Sequence, residues 1–177
     1  MPSPPAPHEI NIRSPRYYIA RTVSTCSHCR SPTSLVAIAV PPGHETLDVD
    51  DGASDDETQS GKTAAATWSV ADHSAFLFYI DFLPAAIQDR INQHLPTYRP
   101  ICGTAAAGSG SHWSNHCESC GSHLDDHELF CEPEGAFLPT SESTASAIHL
   151  ELVDEPFEAS AAGYSYEPPG FGAMSSG

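Results

Sequence analysis

The stretch Asn115-His116-Cys117-Glu118-Ser119-Cys120-Gly121 decides the reading of this chain, because it has a distant mate in Cys26-Ser27-His28-Cys29. Two residues between cysteines let both sulfurs face one ion from a tight turn, and two such turns close a tetrahedron with metal–sulfur distances of ~2.3 Å. One structural Zn2+ held by Cys26, Cys29, Cys117 and Cys120 is therefore expected. Gly121 suits the position after the second thiolate, where a positive φ is often required and costs glycine little. Arg30 stands at the equivalent position of the first knuckle, where its guanidinium would offset part of the negative charge of four thiolates around a dication.

Two redox dithiols or a disulfide framework would also use such pairs. A thioredoxin-type motif needs a helix starting at the cysteines. Here Leu35-Val36-Ala37-Ile38-Ala39-Val40 follows the first pair and reads as a strand, stopped by Pro41-Pro42-Gly43. The interval between the two pairs is wider than the common zinc-motif spacings.

Working outward, the 177 residues fit one domain with flexible additions. With 16 Pro, 12 Gly and only 17% charged residues, the core should be smaller than the length suggests, and a metal staple would help to hold it. The formal net charge of −16, from 23 acidic against 7 basic residues, opposes contact with nucleic-acid phosphates and anionic membranes. A protein partner with a basic surface is the electrostatic complement. No apolar run approaches the length of a membrane span, and the N-terminus lacks the basic and then apolar pattern of an export signal. Reduced thiols and a cytoplasmic location are the resulting expectations.

Residues 1–15 are rich in proline and should be disordered, whereas residues 16–158 should form the metal-stapled domain, with an acidic flexible loop at 44–62. The acidic block from Asp48 misplaces the glycine an EF-hand needs, so Ca2+ is not expected there. Residues 67–70 and 75–82 read as strands, the second carrying Phe76, Phe78, Tyr79 and Phe82. Residues 84–95 read as a helix opened by Pro84, with Ile87, Ile91 and Leu95 on its apolar stripe. The run 103–110 lacks the lysine of a phosphate loop and should be a connector. Ile148, Leu150 and Leu152 alternate as a half-buried strand, and 159–177 should be a flexible tail. The fold class that follows is α+β: mainly antiparallel β with one covering helix, and a zinc-ribbon-like four-cysteine site joining the early and late knuckles.

The order of these features resembles small, uncharacterised bacterial proteins with a split zinc-ribbon-like motif: Cys-x-x-Cys before an apolar strand, a Phe/Tyr strand, a Pro-started helix, Asn-His-Cys-x-x-Cys-Gly, an acidic segment, then Glu132-Pro133-Glu134-Gly135. The resemblance covers about residues 17–139. It implies Zn2+ at the same four cysteines and brings no activity with it.

Histidines carry the rival reading. His112, His116, His123 and His127 crowd around the second knuckle with Asp125, Asp126 and Glu128, and a catalytic zinc uses three protein ligands plus an open site for water. A zinc-dependent hydrolase using segment 112–127 is the alternative function. Against it, His112-Trp113-Ser114-Asn115-His116 has the metalloprotease spacing without the glutamate, and His116-Cys117-Glu118 overlaps the cysteine pair that a deaminase would place downstream. His116 is expected to support or pack rather than ligate. Cys102 and Cys131 read as buried bystanders, with a ligand swap or a second metal site with His123 or His127 as the sharper possibility. No catalytic residue is named. The favoured function is a non-catalytic zinc-binding domain acting by protein–protein interaction, and a zinc ribbon binding nucleic acid is a third reading.

Overall fold

The computed structural model describes residues 9–49, 66–101, 111–166, 168 and 170–176. In chain order the strands are β1 (Ile12–Ser14), β2 (Tyr17–Thr25), β3 (Pro32–Val40), β4 (Glu45–Val49), β5 (Ala66–Val70) and β6 (Ala75–Phe82). Helix α1 (Ala85–His94) precedes β7 (Arg99–Ile101), β8 (His112–His116) and β9 (His123–Leu124). Then come helices α2 (Asp126–Phe130) and α3 (Glu142–Ala145), strands β10 (His149–Val153) and β11 (Phe157–Tyr164), a 3-10 turn and β12 (Ser175–Ser176). The sheet runs β12-β10-β2-β3-β6-β11-β1-β4-β5, with β8 joined to β6 and flanked by β7 and β9. Its pairs are antiparallel except β10 with β12.

Alternation along β3 shows why the sheet is covered on both faces. Val36, Ile38 and Val40 enter one apolar cluster with Tyr17, Ile19, Leu77 and the α1 residues Ile87 and Ile91. Leu35, Ala37 and Ala39 enter the other, with Phe76, the α2 residues Leu129 and Phe130, and Phe137. Successive side chains of a strand point to opposite faces, so a run apolar at every position must be buried on both. Hence the single covering helix of the expected fold gives way to α1 on one face and α2 with the segment after it on the other. Helix α1 itself follows the expected stripe: Pro84 stands just before its first residue, and Ile87, Ile91 and Leu95 are buried.

Elements also lie beyond the expected domain limits. Strand β1 falls within residues 1–15, β4 falls within 44–62, and β11 passes residue 158 to pair with β6. Most of the acidic block, the connector 103–110 and Cys102 lie outside the described residues. Strand β11 has the composition of a linker because its partner demands small residues. A Cβ on Gly163 would stand 2.2 Å from Phe78 Cε2.

One irregularity prepares the functional end of the sheet. Ile38, Ala39 and Val40 pair with Leu77, Phe76 and Ala75, a register that would bring Tyr79 opposite Val36. Tyr79 instead takes φ 51 and turns its N–H to Asp126 Oδ2 at 2.8 Å. The apolar cluster that includes Ala75 and Leu77 resumes at Ile80 with its parity inverted, as a local bulge produces. Val36, still opposite Arg21 of β2, is thereby left without a strand partner on the β6 side.

Candidate metal centre

Each cysteine pair is the turn of a hairpin. Cys26 and Cys29 lie between β2 and β3, whose register closes at Thr25 opposite Pro32. Cys117 and Cys120 lie between β8 and β9, closed at His116 opposite His123. Their backbones repeat one another. Cys26 N–H donates to Ser31 O at 2.9 Å and Arg30 N–H to Cys26 O at 3.0 Å, while Cys117 N–H donates to Ser122 O and Gly121 N–H to Cys117 O, each at 2.9 Å. The residue after the second cysteine has positive φ in both knuckles, 64 at Arg30 and 72 at Gly121. The first knuckle thus keeps the glycine geometry while carrying a Cβ, which costs about 1–2 kcal/mol.

The two turns meet. All four Sγ atoms lie within 4.8 Å of one another. Cys26 Sγ is 3.8 Å from Cys120 Sγ, and Cys29 Sγ is 3.6 Å from Cys117 Sγ. Metal–sulfur bonds of ~2.3 Å at a tetrahedral angle give a sulfur–sulfur edge of ~3.8 Å, whereas a disulfide requires ~2.05 Å. The spacing fits a single four-coordinate ion such as zinc and fits no disulfide. Cys26 and Cys117 are buried and Cys29 and Cys120 exposed, so the cluster sits at the hairpin ends with its outer half at the surface.

The thiols are not equivalent. The Cys120 amide, with further help from the Ser119 amide and the neighbouring thiols, outweighs burial and pulls Cys117 down to about 6. The Ser122 hydroxyl and amide lower Cys120. At Cys26 the Cys29 amide acts in the same direction, but burial and the thiols of Cys117 and Cys29 leave its pKa raised. Thiolate is the form that binds metal, and neighbouring thiolates suppress one another's ionisation until a cation joins them.

What seats the second knuckle on the sheet is Asn115. Its side chain, fully buried, accepts from Val36 N–H and donates to Val36 O, each at 2.9 Å. A carboxamide offers one donor and one acceptor in the geometry of a peptide group. Asn115 therefore supplies the two bonds that Val36 lost when Tyr79 turned away. Glu118 adds to the seating: its N–H donates to Thr33 Oγ1 at 3.1 Å, and its carboxylate accepts from Ser34 N–H at 2.8 Å. The motif letters Asn and Glu pointed to no such task, because both partners belong to a strand some eighty residues earlier.

The histidines gather elsewhere on β8 and β9. His116 Nδ1 lies 3.1 Å from both Thr97 O and Ser114 O, and burial lowers its pKa, so it is a neutral packed ring. His123 Nε2 is 3.0 Å from Ser114 Oγ, and Ser114 Oγ is 3.1 Å from Asp126 Oδ1. Burial raises the Asp126 carboxyl, against the Tyr79 amide and the Ser114 hydroxyl. His127 is exposed on α2, with Nδ1 3.6 Å from Glu132. Among the described residues the four cysteines are the one group of three or more His, Cys, Asp or Glu whose ligand atoms come within 4.8 Å of one another. The segment 112–127 therefore brings no three-ligand set together by itself. Cys131 stands apart from the cluster as expected of a bystander, but it is exposed and not buried, because it caps the C-terminal end of α2.

Searches against models of protein families, curated proteins and solved structures match nothing. The arrangement above stands on its own geometry.

Proposed function

We propose that this chain is a non-catalytic zinc domain, in which one Zn2+ bound by Cys26, Cys29, Cys117 and Cys120 locks two hairpins together and so presents an acidic surface to a basic protein partner. The sulfur–sulfur spacing of 3.6 and 3.8 Å carries the reading. Four thiolates fill a tetrahedral shell, and a filled shell has no position for a substrate or an activated water. In small zinc peptides such binding supplies about 10–16 kcal/mol, which matches or exceeds the whole stability of an ordinary domain. The ion's role is to hold together segments that the chain keeps far apart.

Charge supports the choice of partner. Arg13, Arg16, Arg21 and Arg90, four of the seven basic residues, each face a carboxylate within the fold. Against 23 acidic residues that leaves no basic stripe for a phosphate backbone. No helix among the described residues is long and apolar enough to cross a membrane. A reducing cytoplasm, which keeps thiols available to metal, belongs to the same proposal.

Replacing the native ion with Co2+ tests the closed shell. A four-thiolate site gives intense sulfur-to-cobalt charge transfer and a tetrahedral d–d spectrum that azide leaves unchanged. A spectrum that shifts on adding azide would show an open position and revive the hydrolase reading. For the partner, binding to an oligolysine peptide that weakens as salt rises is expected, and binding to a DNA duplex of equal strength would contradict it.

A further inference from the structure

On the opposite arm of the sheet, two loops are laced together by backbone bonds. Gly43 N–H donates to Ala71 O and Ala71 N–H to His44 O, both at 2.8 Å. This brings His44, from the β3–β4 turn, beside His73, from the β5–β6 connection, with ring centroids 5.8 Å apart at 85°. Both line a cavity of about 220 Å3 that Asp72, Tyr164 and Tyr166 help to enclose. The Tyr166 ring lies over His73 at 5.6 Å.

Hydrogen bonding fixes what each imidazole offers there. His44 Nδ1 is 2.8 Å from Pro41 O, and a carbonyl can only accept, so the proton sits on Nδ1 and Nε2 carries a lone pair. His73 Nδ1 faces Asp72 Oδ1 at 3.4 Å, which places a proton on its Nδ1 as well. Neither Nε2 has a hydrogen-bond partner, and neither is open to solvent; His44 as a whole is 1% exposed. An imidazole whose Nδ1–H is held by a carbonyl or a carboxylate, with Nε2 bare, is the usual form of a metal-ligating histidine.

We propose that His44 and His73 form a second metal site, independent of the cysteine cluster, that takes a borderline divalent cation such as Ni2+ or Zn2+ through the two Nε2 atoms. An ion ~2.1 Å from each nitrogen stands ~3.2 Å from each ring centroid, so one ion can bridge rings whose centroids are 5.8 Å apart once both Nε2 atoms turn toward it. Nitrogen donors select borderline ions over Mg2+ or Ca2+, which prefer oxygen. The surrounding charge selects a cation over an anion: Asp72 stands at the rim and the chain as a whole carries −16. Both Nε2 atoms are shielded from solvent in the metal-free chain, so the Tyr166 ring must shift to admit the ion with its remaining water ligands, and the ion here would be exchangeable where the cysteine-bound ion is not.

The experiment titrates the full chain, already holding one zinc in its cysteine cluster, with Ni2+ under calorimetry. Imidazole 15N spectra are followed in parallel. The expected result is one Ni2+ per chain at micromolar concentration, with the His44 and His73 signals the first to broaden. His73→Gln, on a loop and partly exposed, should weaken binding at least about ten-fold, and Asp72→Asn by about ten-fold through loss of the Nδ1 partner. His123→Gln should leave it unchanged. His44→Gln should behave as His73→Gln, and an unchanged circular dichroism spectrum in His73→Gln excludes unfolding as the cause. No uptake of Ni2+, or uptake that survives His73→Gln, overturns the proposal. So does first broadening of His112, His116 or His123.

Discussion

Replacing Asn115 by alanine isolates the contact that seats the second knuckle. The change removes two buried hydrogen bonds of 2.9 Å and leaves the N–H and C=O of Val36, a residue with no exposed surface, without partners. A buried polar group left unsatisfied costs about 1–3 kcal/mol, so two together cost ~2–6 kcal/mol, with any water admitted to the gap lowering the figure. Set against a domain stability of about 5–15 kcal/mol, this is a large fraction. Urea unfolding of the zinc-loaded protein reads it as a fall in midpoint at unchanged slope. Asn115→Asp is the informative companion. A carboxylate still accepts from Val36 N–H but cannot donate to Val36 O, and it adds charge beside the thiolates, so it should rescue little. A loss below about 0.5 kcal/mol for Asn115→Ala, the range of ordinary surface substitutions, would refute the claim that this side chain replaces a strand partner.

Further expectations follow from the same geometry. Arg30→Gly should stabilise the protein by about 1 kcal/mol, because it relieves a side chain held at φ 64, whereas Gly121→Ala should cost a similar amount; thermal melts of the metal-loaded proteins measure both. No atom lies within 4 Å of a Cβ at Gly121, so that cost is one of backbone conformation alone. Asp126→Ala should lose ~1–3 kcal/mol in urea unfolding by orphaning the Tyr79 N–H, since the Ser114 hydroxyl keeps Leu124 O and His123 Nε2, and Asp126→Asn should lose less. Burial raises the Asp126 carboxyl in the folded protein, so the native state takes up that proton before the unfolded chain does. Lowering the pH from neutral toward about 4 should therefore move the stability difference between wild type and Asp126→Asn in favour of wild type. Cys131→Ser should keep its metal by elemental analysis.

The sequence disclosed those parts whose cause is local. Two Cys-x-x-Cys turns, an apolar run at residues 35–40, aromatic alternation at 75–82 and a helix stripe of Ile87, Ile91 and Leu95 each follow from spacing within a few residues. They reappear as the cysteine cluster, β3, β6 and α1. What stayed hidden has distant causes. Tyr79 leaves its register for Asp126, forty-seven positions away, and Asn115 takes its place at Val36, seventy-nine away. Neither exchange marks the local pattern. Strand β11 was masked by its own composition, in which Gly163 answers to Phe78 across the sheet. His44 and His73 gave no motif because a turn and a connection bring them together only after the strands have paired.

One ion joining the two knuckles through four sulfurs has a direct signature in zinc K-edge X-ray absorption on protein purified without chelator, at one metal per chain. The expected spectrum is a single shell of four sulfurs at ~2.3 Å, lost alike in Cys26→Ser and Cys117→Ser. Nitrogen or oxygen neighbours in place of one or more of those sulfurs, or a zinc that remains fully bound in Cys117→Ser, would contradict it.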